Sequence, residues 1–262
     1  MFKKPIFYFL FVFLFVINFV VLVSANSGNT QPKSWSVKRE KNHRQPTMES
    51  GSEFISDLGG YYLDTKATDD DKVIYLTFDA GYENGNIAKI LDTMKRHNVK
   101  GAFFVLENLI KRNNELVKRM ADEGHFVCNH TARHKDMTTV KNLDDFKNEL
   151  EKLEAIYKEY TGLEMLKYYR PPEGKYTKQN LEFANQLGYK TVFWSFAYAD
   201  WDNNKQPDKL SSINKIKENT HNGMVVLLHP TSATNAEILD ELINYWKSEN
   251  YRFGTLDELV SK

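Results

Sequence analysis

The chain has 262 residues, 35 Lys and Arg against 35 Asp and Glu, and 41% apolar residues with 17 Phe and 14 Tyr. That length suits one α/β barrel behind a short leader. The charge balance removes the bulk attraction that a nucleic-acid partner needs, so none is expected, and one cysteine, Cys128, excludes an intramolecular disulfide.

Lys3 and Lys4 precede an apolar run over residues 5–23, which ends in Val23-Ser24-Ala25. Small residues up to Ala25 suit cleavage of an export signal. The length of the run equally suits an uncleaved membrane anchor. In either reading residues 1–25 carry the folded part across the cytoplasmic membrane. Residues 26–58 form an N-terminal arm, and its polar stretch 26–50, with Pro32 and Pro46, reads as a linker or poorly ordered.

From Gly59 the pattern becomes regular, and residues 59–262 read as the folded domain. Apolar runs predict strands over 73–78, 101–106, 125–128, 168–170, 191–195, 224–228 and 251–253. Helical spacing predicts helices over 86–97, 113–123 and 143–160, then near 177–187, 209–219 and 235–249. In the long one, Phe146, Leu150, Leu153, Ile156 and Tyr157 share a face. Such alternation gives a parallel sheet covered by helices. About seven strands, many ending in polar residues, favour a closed (β/α) barrel, whose chemistry lies on the loops after the strand C-termini.

Five polar motifs fall at those positions: Thr77-Phe78-Asp79-Ala80-Gly81, His130-Thr131-Ala132-Arg133-His134, Arg170-Pro171-Pro172-Glu173-Gly174, Asp200-Trp201 and Leu227-Leu228-His229. Asp79 ends an apolar strand, so its carboxylate is solvated, paired or functional; a turn cap is the plain alternative. His130 and His134 are four apart, and on a helical turn both imidazoles reach one cation, although the spacing also arises by chance. Arg170, followed by two stiffening prolines, can hold Asp79 ionised and oriented, with Asp200 as its second partner. A structural ion pair gives the same pattern. Trp201 is either a pocket wall or a core residue. His229 can act as a general acid or as a hydrogen-bonded structural histidine, and Leu227 faces the same way. Cys128 reads as a small buried hydrophobe in preference to a soft ligand. Glu83 is a helix-start charge or an auxiliary site residue. His43, His97, His125 and His221 lack such company and read as structural or surface residues.

Taken in order, the motifs resemble those of the polysaccharide deacetylases with the NodB homology domain, carbohydrate esterase family 4, over residues from about 72 to 258. The resemblance implies a distorted (β/α) barrel and metal-assisted hydrolysis of an N-acetyl amide. Carried over, Asp79 would be the general base, and His130 and His134 ligands of a divalent cation, with zinc expected. Arg170 would tether Asp79 with help from Asp200. Trp201 and Leu227 would line the acetyl pocket, and His229 would be the general acid. Glu173 would offer a backbone N–H to the oxyanion, and Tyr82 a substrate contact.

Ala80 departs from the family pattern, which has a metal-binding Asp there. The run from Thr77 to Gly85 resembles instead the subgroup that makes muramic δ-lactam, in which this ligand is also missing. Trp194-Ser195 and the stretch from Trp35 to His43 match the same subgroup. This implies a peptidoglycan N-acetylmuramic acid deacetylase of the spore cortex. It would act as a monomer on peptide-stripped glycan strands, downstream of an N-acetylmuramoyl-L-alanine amidase. Two alternatives stay open: a deacetylase of N-acetylglucosamine or another acetylated glycan, and a non-catalytic glycan-binding protein. Retention of Asp79, Arg170 and His229 speaks against the second, because binding alone needs no acid–base set.

Overall fold

The computed structural model describes residues 27–261, so the apolar leader, residues 1–25, lies outside the described residues. The central sheet is parallel. Strand Val73–Ala80 is flanked by Met224–Leu228 and Ala102–Val105, and the order continues through Phe126–Asn129, Tyr168–Tyr169 and Lys190–Val192 to Gly60–Tyr61. Arg252–Phe253 pairs with the start of Val73–Ala80. The sheet curls until its edges nearly meet. An irregular segment bridges them: Phe196 pairs with Val226, and Leu227 N–H donates to Phe196 O at 2.9 Å. The result is the expected distorted barrel. The strand expected over 191–195 leaves the ladder after Val192 to make this closure.

Side-chain alternation builds two apolar layers. Val73 and Tyr75 point inward with Ala102, Phe104, Cys128, Val192 and Val225. Ile74, Leu76, Phe78 and Ala80 point outward beneath residues of helices Ile87–His97, Asn114–Asp122, Leu143–Thr161 and Ala233–Ser248. Because both faces are covered, the strand is apolar up to Asp79 except for the buried Thr77. Leu256 and Leu259, from the C-terminal helix Leu256–Ser261, join the inner layer. That helix and the short helix Glu107–Arg112 have no counterpart in the sequence reading.

The arm is not a loose linker. Lys33–Ser34 pairs antiparallel with Lys175–Tyr176, and Val37–Lys38 with Thr47–Met48. Trp35 is buried, stacks on Phe193 at 4.5 Å, and donates from Nε1 to Trp194 O at 2.8 Å. Together with Ile55, Tyr62, Leu63, Tyr176 and Leu181 these residues form a separate small core. A few apolar anchors thus order a stretch whose average composition is polar, and packing continues across Gly59.

Candidate active site

Alternation also explains how the polar motifs converge. Inward-facing Tyr75, Cys128, Tyr168, Val192 and Val225 fix the direction of their strands. Steps of two residues then bring Asp79, His130, Arg170, Trp194, Leu227 and His229 over the C-terminal mouth. A cavity of about 680 Å³ opens there, lined by Asp79, Gly81, Tyr82, Leu106, His130, His134, Glu173, Trp194, Trp201, Leu227, His229 and Thr231.

Arg170 is fully buried beneath it. Its Nη1 donates to Asp79 Oδ1 at 2.8 Å, Nη2 to Thr77 Oγ1 at 2.8 Å and Phe193 O at 3.3 Å, and Nε to Val192 O at 2.9 Å. Its guanidinium lies 4.1 Å from the centre of the Phe104 ring. This arrangement leaves the guanidinium one orientation. Burial pushes the Asp79 carboxyl up, but His130 once protonated at low pH, together with Arg170 and His229, outweighs it and puts the group below its ordinary range.

His130 Nδ1 lies 2.9 Å from Arg170 O. A carbonyl only accepts, so Nδ1 carries the proton and Nε2 presents its lone pair. Nε2 is 3.5 Å from Asp79 Oδ2. Burial takes the imidazole down to about 4, so it is neutral at physiological pH. The His134 ring is 5.0 Å away, inclined at 72°. The pair does not sit on a helical turn, as the spacing suggested. Thr131 and His134 adopt left-handed backbone, with φ of 66° and 57°. Asn129 Oδ1 accepts from Thr131 N, and Thr131 Oγ1 from Lys135 N, stabilising the bend.

Among the described residues the two histidines are joined by no third ligand apart from the neighbouring Asp79 carboxylate. Ala80 is buried in the outer layer. Glu83 turns its carboxylate to the N–H groups of Gly85 and Ile87, which makes it a helix-start charge. Cys128 is sealed in the inner layer, where burial pushes its thiol far up. Among the described residues no group of three or more His, Cys, Asp or Glu is gathered as a metal would need. The two histidines could supply two ligands to a divalent cation, short of the three protein ligands usual for catalytic zinc.

Asp200 does not partner Arg170, contrary to the sequence reading. Its Oδ1 accepts from His229 Nδ1 at 2.7 Å, and its Oδ2 from His229 N at 2.8 Å. His229 thus directs Nε2 away from Asp200. Burial alone would lower this imidazole, but Asp200 and, further off, Asp79 raise it above its ordinary value. Asn235 and Thr77, which complete the two carboxylate networks, were not foreseen. The only signal near Asn235 is Ser232, which caps its helix; Thr77 carries the inward period of its strand.

Trp201 is 60% exposed, with its ring 6.0 Å from that of His229, so it is a wall at the mouth and not core. Tyr82 is half-exposed, and its hydroxyl meets Asn203 Nδ2, joining two mouth loops. Leu227 is a buried wall. Glu173 has φ of 55°, and its carboxylate pairs outward with Lys175 Nζ at 2.7 Å. A Cβ on Gly174 would lie 2.8 Å from Trp194 and 3.0 Å from Trp35, so only glycine fits there. The other four histidines stand apart. His43 contacts Thr220 O, His97 Asp240, His125 Gly101 N and His221 Ser195 Oγ.

The polysaccharide deacetylase family profile matches residues 66–192. The chain is 40% identical to the peptidoglycan-N-acetylmuramic acid deacetylase PdaA of Bacillus subtilis, over 88% of this chain and 86% of that protein. The solved structure of PdaA, a family 4 carbohydrate esterase, superposes with a TM-score of 0.82 at 39% identity, covering 88% of this chain and 97% of that one. A peptidoglycan-N-acetylglucosamine deacetylase of Bacillus cereus is 34% identical over 71% of this chain and 67% of its own length. A carbohydrate esterase family 4 pseudoenzyme from Bacillus anthracis superposes with a TM-score of 0.68 at 25% identity, over 77% of this chain and 68% of that one.

Proposed function

The chain belongs to the polysaccharide deacetylase family, and we propose that it hydrolyses the N-acetyl group of N-acetylmuramic acid in peptidoglycan strands whose stem peptides have been removed. The observation that carries this reading is a pair of acid–base units facing one cavity, Asp79 on Arg170 and His229 on Asp200.

Asp79, held ionised by its surroundings, takes a proton from the attacking water. The carbonyl oxygen gains charge beside the left-handed turn at Glu173, where a backbone N–H would meet it. His229 keeps Nδ1–H on Asp200 and hands the Nε2 proton to the sugar nitrogen as the C–N bond breaks. Leu227 and Trp201 enclose the departing acetate. Deacetylases of this family are generally metal-dependent; a divalent cation, zinc in our reading, would when held by His130 and His134 polarise the amide carbonyl.

The muramic assignment is supported by the similarity to PdaA. The freed C2 amine then lies beside the lactyl carboxyl on the same ring, and closure with loss of water gives a six-membered lactam. His229, reprotonated from solvent after the first step, is our candidate donor of one proton of the departing water, the amine giving the other. The reading places the protein after an amidase, outside the cytoplasmic membrane, as a monomer in spore-cortex synthesis. Amidase-treated strands incubated with the protein and analysed by mass spectrometry test it: acetyl loss from muramic acid is expected, and loss confined to glucosamine rejects the assignment.

One observation favours N-acetylglucosamine as a second reading. Among the described residues no Lys or Arg lines the cavity, so a lactyl carboxylate meets no dedicated cation from them there.

A further inference from the structure

We propose that Asn235 is a positioning residue, which clamps the Asp200 carboxylate to the His229 backbone and so keeps His229 Nε2 aimed into the cavity. The proposal rests on the reading of His229 as proton donor.

Asp200 is buried and accepts from no Lys or Arg among the described residues. Its hydrogen bonds come from His229 N, His229 Nδ1 and Asn235 Nδ2, the last at 2.6 Å. A buried carboxylate held this way depends on each donor. Asn235 Nδ2 has two hydrogens, and the second goes to His229 O at 3.0 Å. Both partners only accept, which fixes the orientation of the amide. The opposite end, Oδ1, accepts from the Tyr198 hydroxyl. The Asn235 backbone N–H bonds Ser232 Oγ at 3.1 Å in the first turn of helix Ala233–Ser248.

One amide therefore joins a helix start, the end of strand Met224–Leu228 and the irregular segment that carries Asp200. Every donor and acceptor of its side chain is engaged, and it is buried. Without Nδ2, Asp200 Oδ2 keeps only the His229 N–H, and the carboxylate is free to turn away from the His229 ring. The charged groups that face His229 are Asp200, Asp79 and Arg170. Of these only Asp200 touches Asn235.

The test uses the full-length protein, with the His229 imidazole resonance identified by its absence in His229→Ala. In Asn235→Ala the His229 titration midpoint is expected to fall toward the ordinary 6.5. The same variant should lose on the order of 10–100-fold in kcat, with KM within about two-fold. Tyr198→Phe should move both in the same direction by a smaller amount, and it carries the test if Asn235→Ala does not fold. An unchanged midpoint overturns the proposal, whatever happens to kcat. A lowered midpoint with unchanged kcat upholds the clamp and instead rejects His229 as the acid.

Discussion

Arg170 Nη1 meets Asp79 Oδ1 at 2.8 Å, and the guanidinium behind that contact is completely buried. The pair sets the ionisation and direction of the proposed base at once. Replacing Arg170 by Met should leave a nearly buried carboxylate unpaired and cost about 3–5 kcal/mol. Denaturant midpoints with unchanged slope check this. A loss under 1 kcal/mol would mean that water already reaches Asp79.

Asp200 raises the His229 imidazole above its ordinary 6.5, while Asp79 lies below its ordinary 3.8. The reaction needs Asp79 ionised and His229 protonated. The profile of kcat/KM against pH should therefore have the Asp79 limb on the acid side of the ordinary carboxyl range and the His229 limb on the alkaline side of the ordinary imidazole value. Asp200→Asn should move the alkaline limb to lower pH and reduce kcat on the order of 10²–10⁴-fold. An alkaline limb that stays in place would detach it from His229.

Ala80 is buried in the outer layer together with Ala132, which lies between the two histidines in sequence. Ala80→Asp should destabilise the metal-free protein, because a buried carboxylate lacks a partner. It should also tighten divalent-cation binding by adding a third ligand. Thermal melts with and without added zinc, alongside a metal titration, separate the two effects. If zinc stabilises the variant no more than the wild type, the carboxylate does not reach the site.

Burial takes the imidazoles of His125 and His221 down to about 4 from 6.5. The unfolded chain therefore binds protons first, and stability falls as pH drops from 6.5 toward 4. Each histidine contributes a slope of at most about 1.4 kcal/mol per pH unit. Asp79 acts lower: its contribution, complete above 3.8, is lost as pH falls through its depressed value. His229 has the opposite sign, its contribution being present below 6.5 and lost as pH rises through its raised value. His221 lies away from the cavity, on Ser195 Oγ. Its replacement by Asn should flatten the 6.5-to-4 slope in denaturant titrations without displacing the activity profile.

The barrel, and the meeting of Asp79, His130, Arg170, Leu227 and His229, were legible because period-two strands aim their C-terminal side chains. That reading failed where regular structure stops. Asp200 lies in the irregular segment between Val192 and Lys209, where no period says whether it faces Arg170 or His229. The backbone of His130–His134 depends on two left-handed residues that neither Thr131 nor His134 advertises. The arm was misjudged because one tryptophan and its aromatic partners, not average polarity, decide its order. Asn235 acts through tertiary contacts that its spacing does not reveal.

The central claim is that Asp79 is the base of an amide hydrolysis on peptide-stripped muramic strands. Acetate release from amidase-treated glycan, compared with N-acetylglucosamine oligomers, for wild type and a folded Asp79→Asn variant, tests it most directly. The account predicts faster release from the treated glycan, and loss of that release on the order of 10²–10⁴-fold in the variant. Faster release from the glucosamine oligomers, or a variant within a few-fold of wild type, would contradict it.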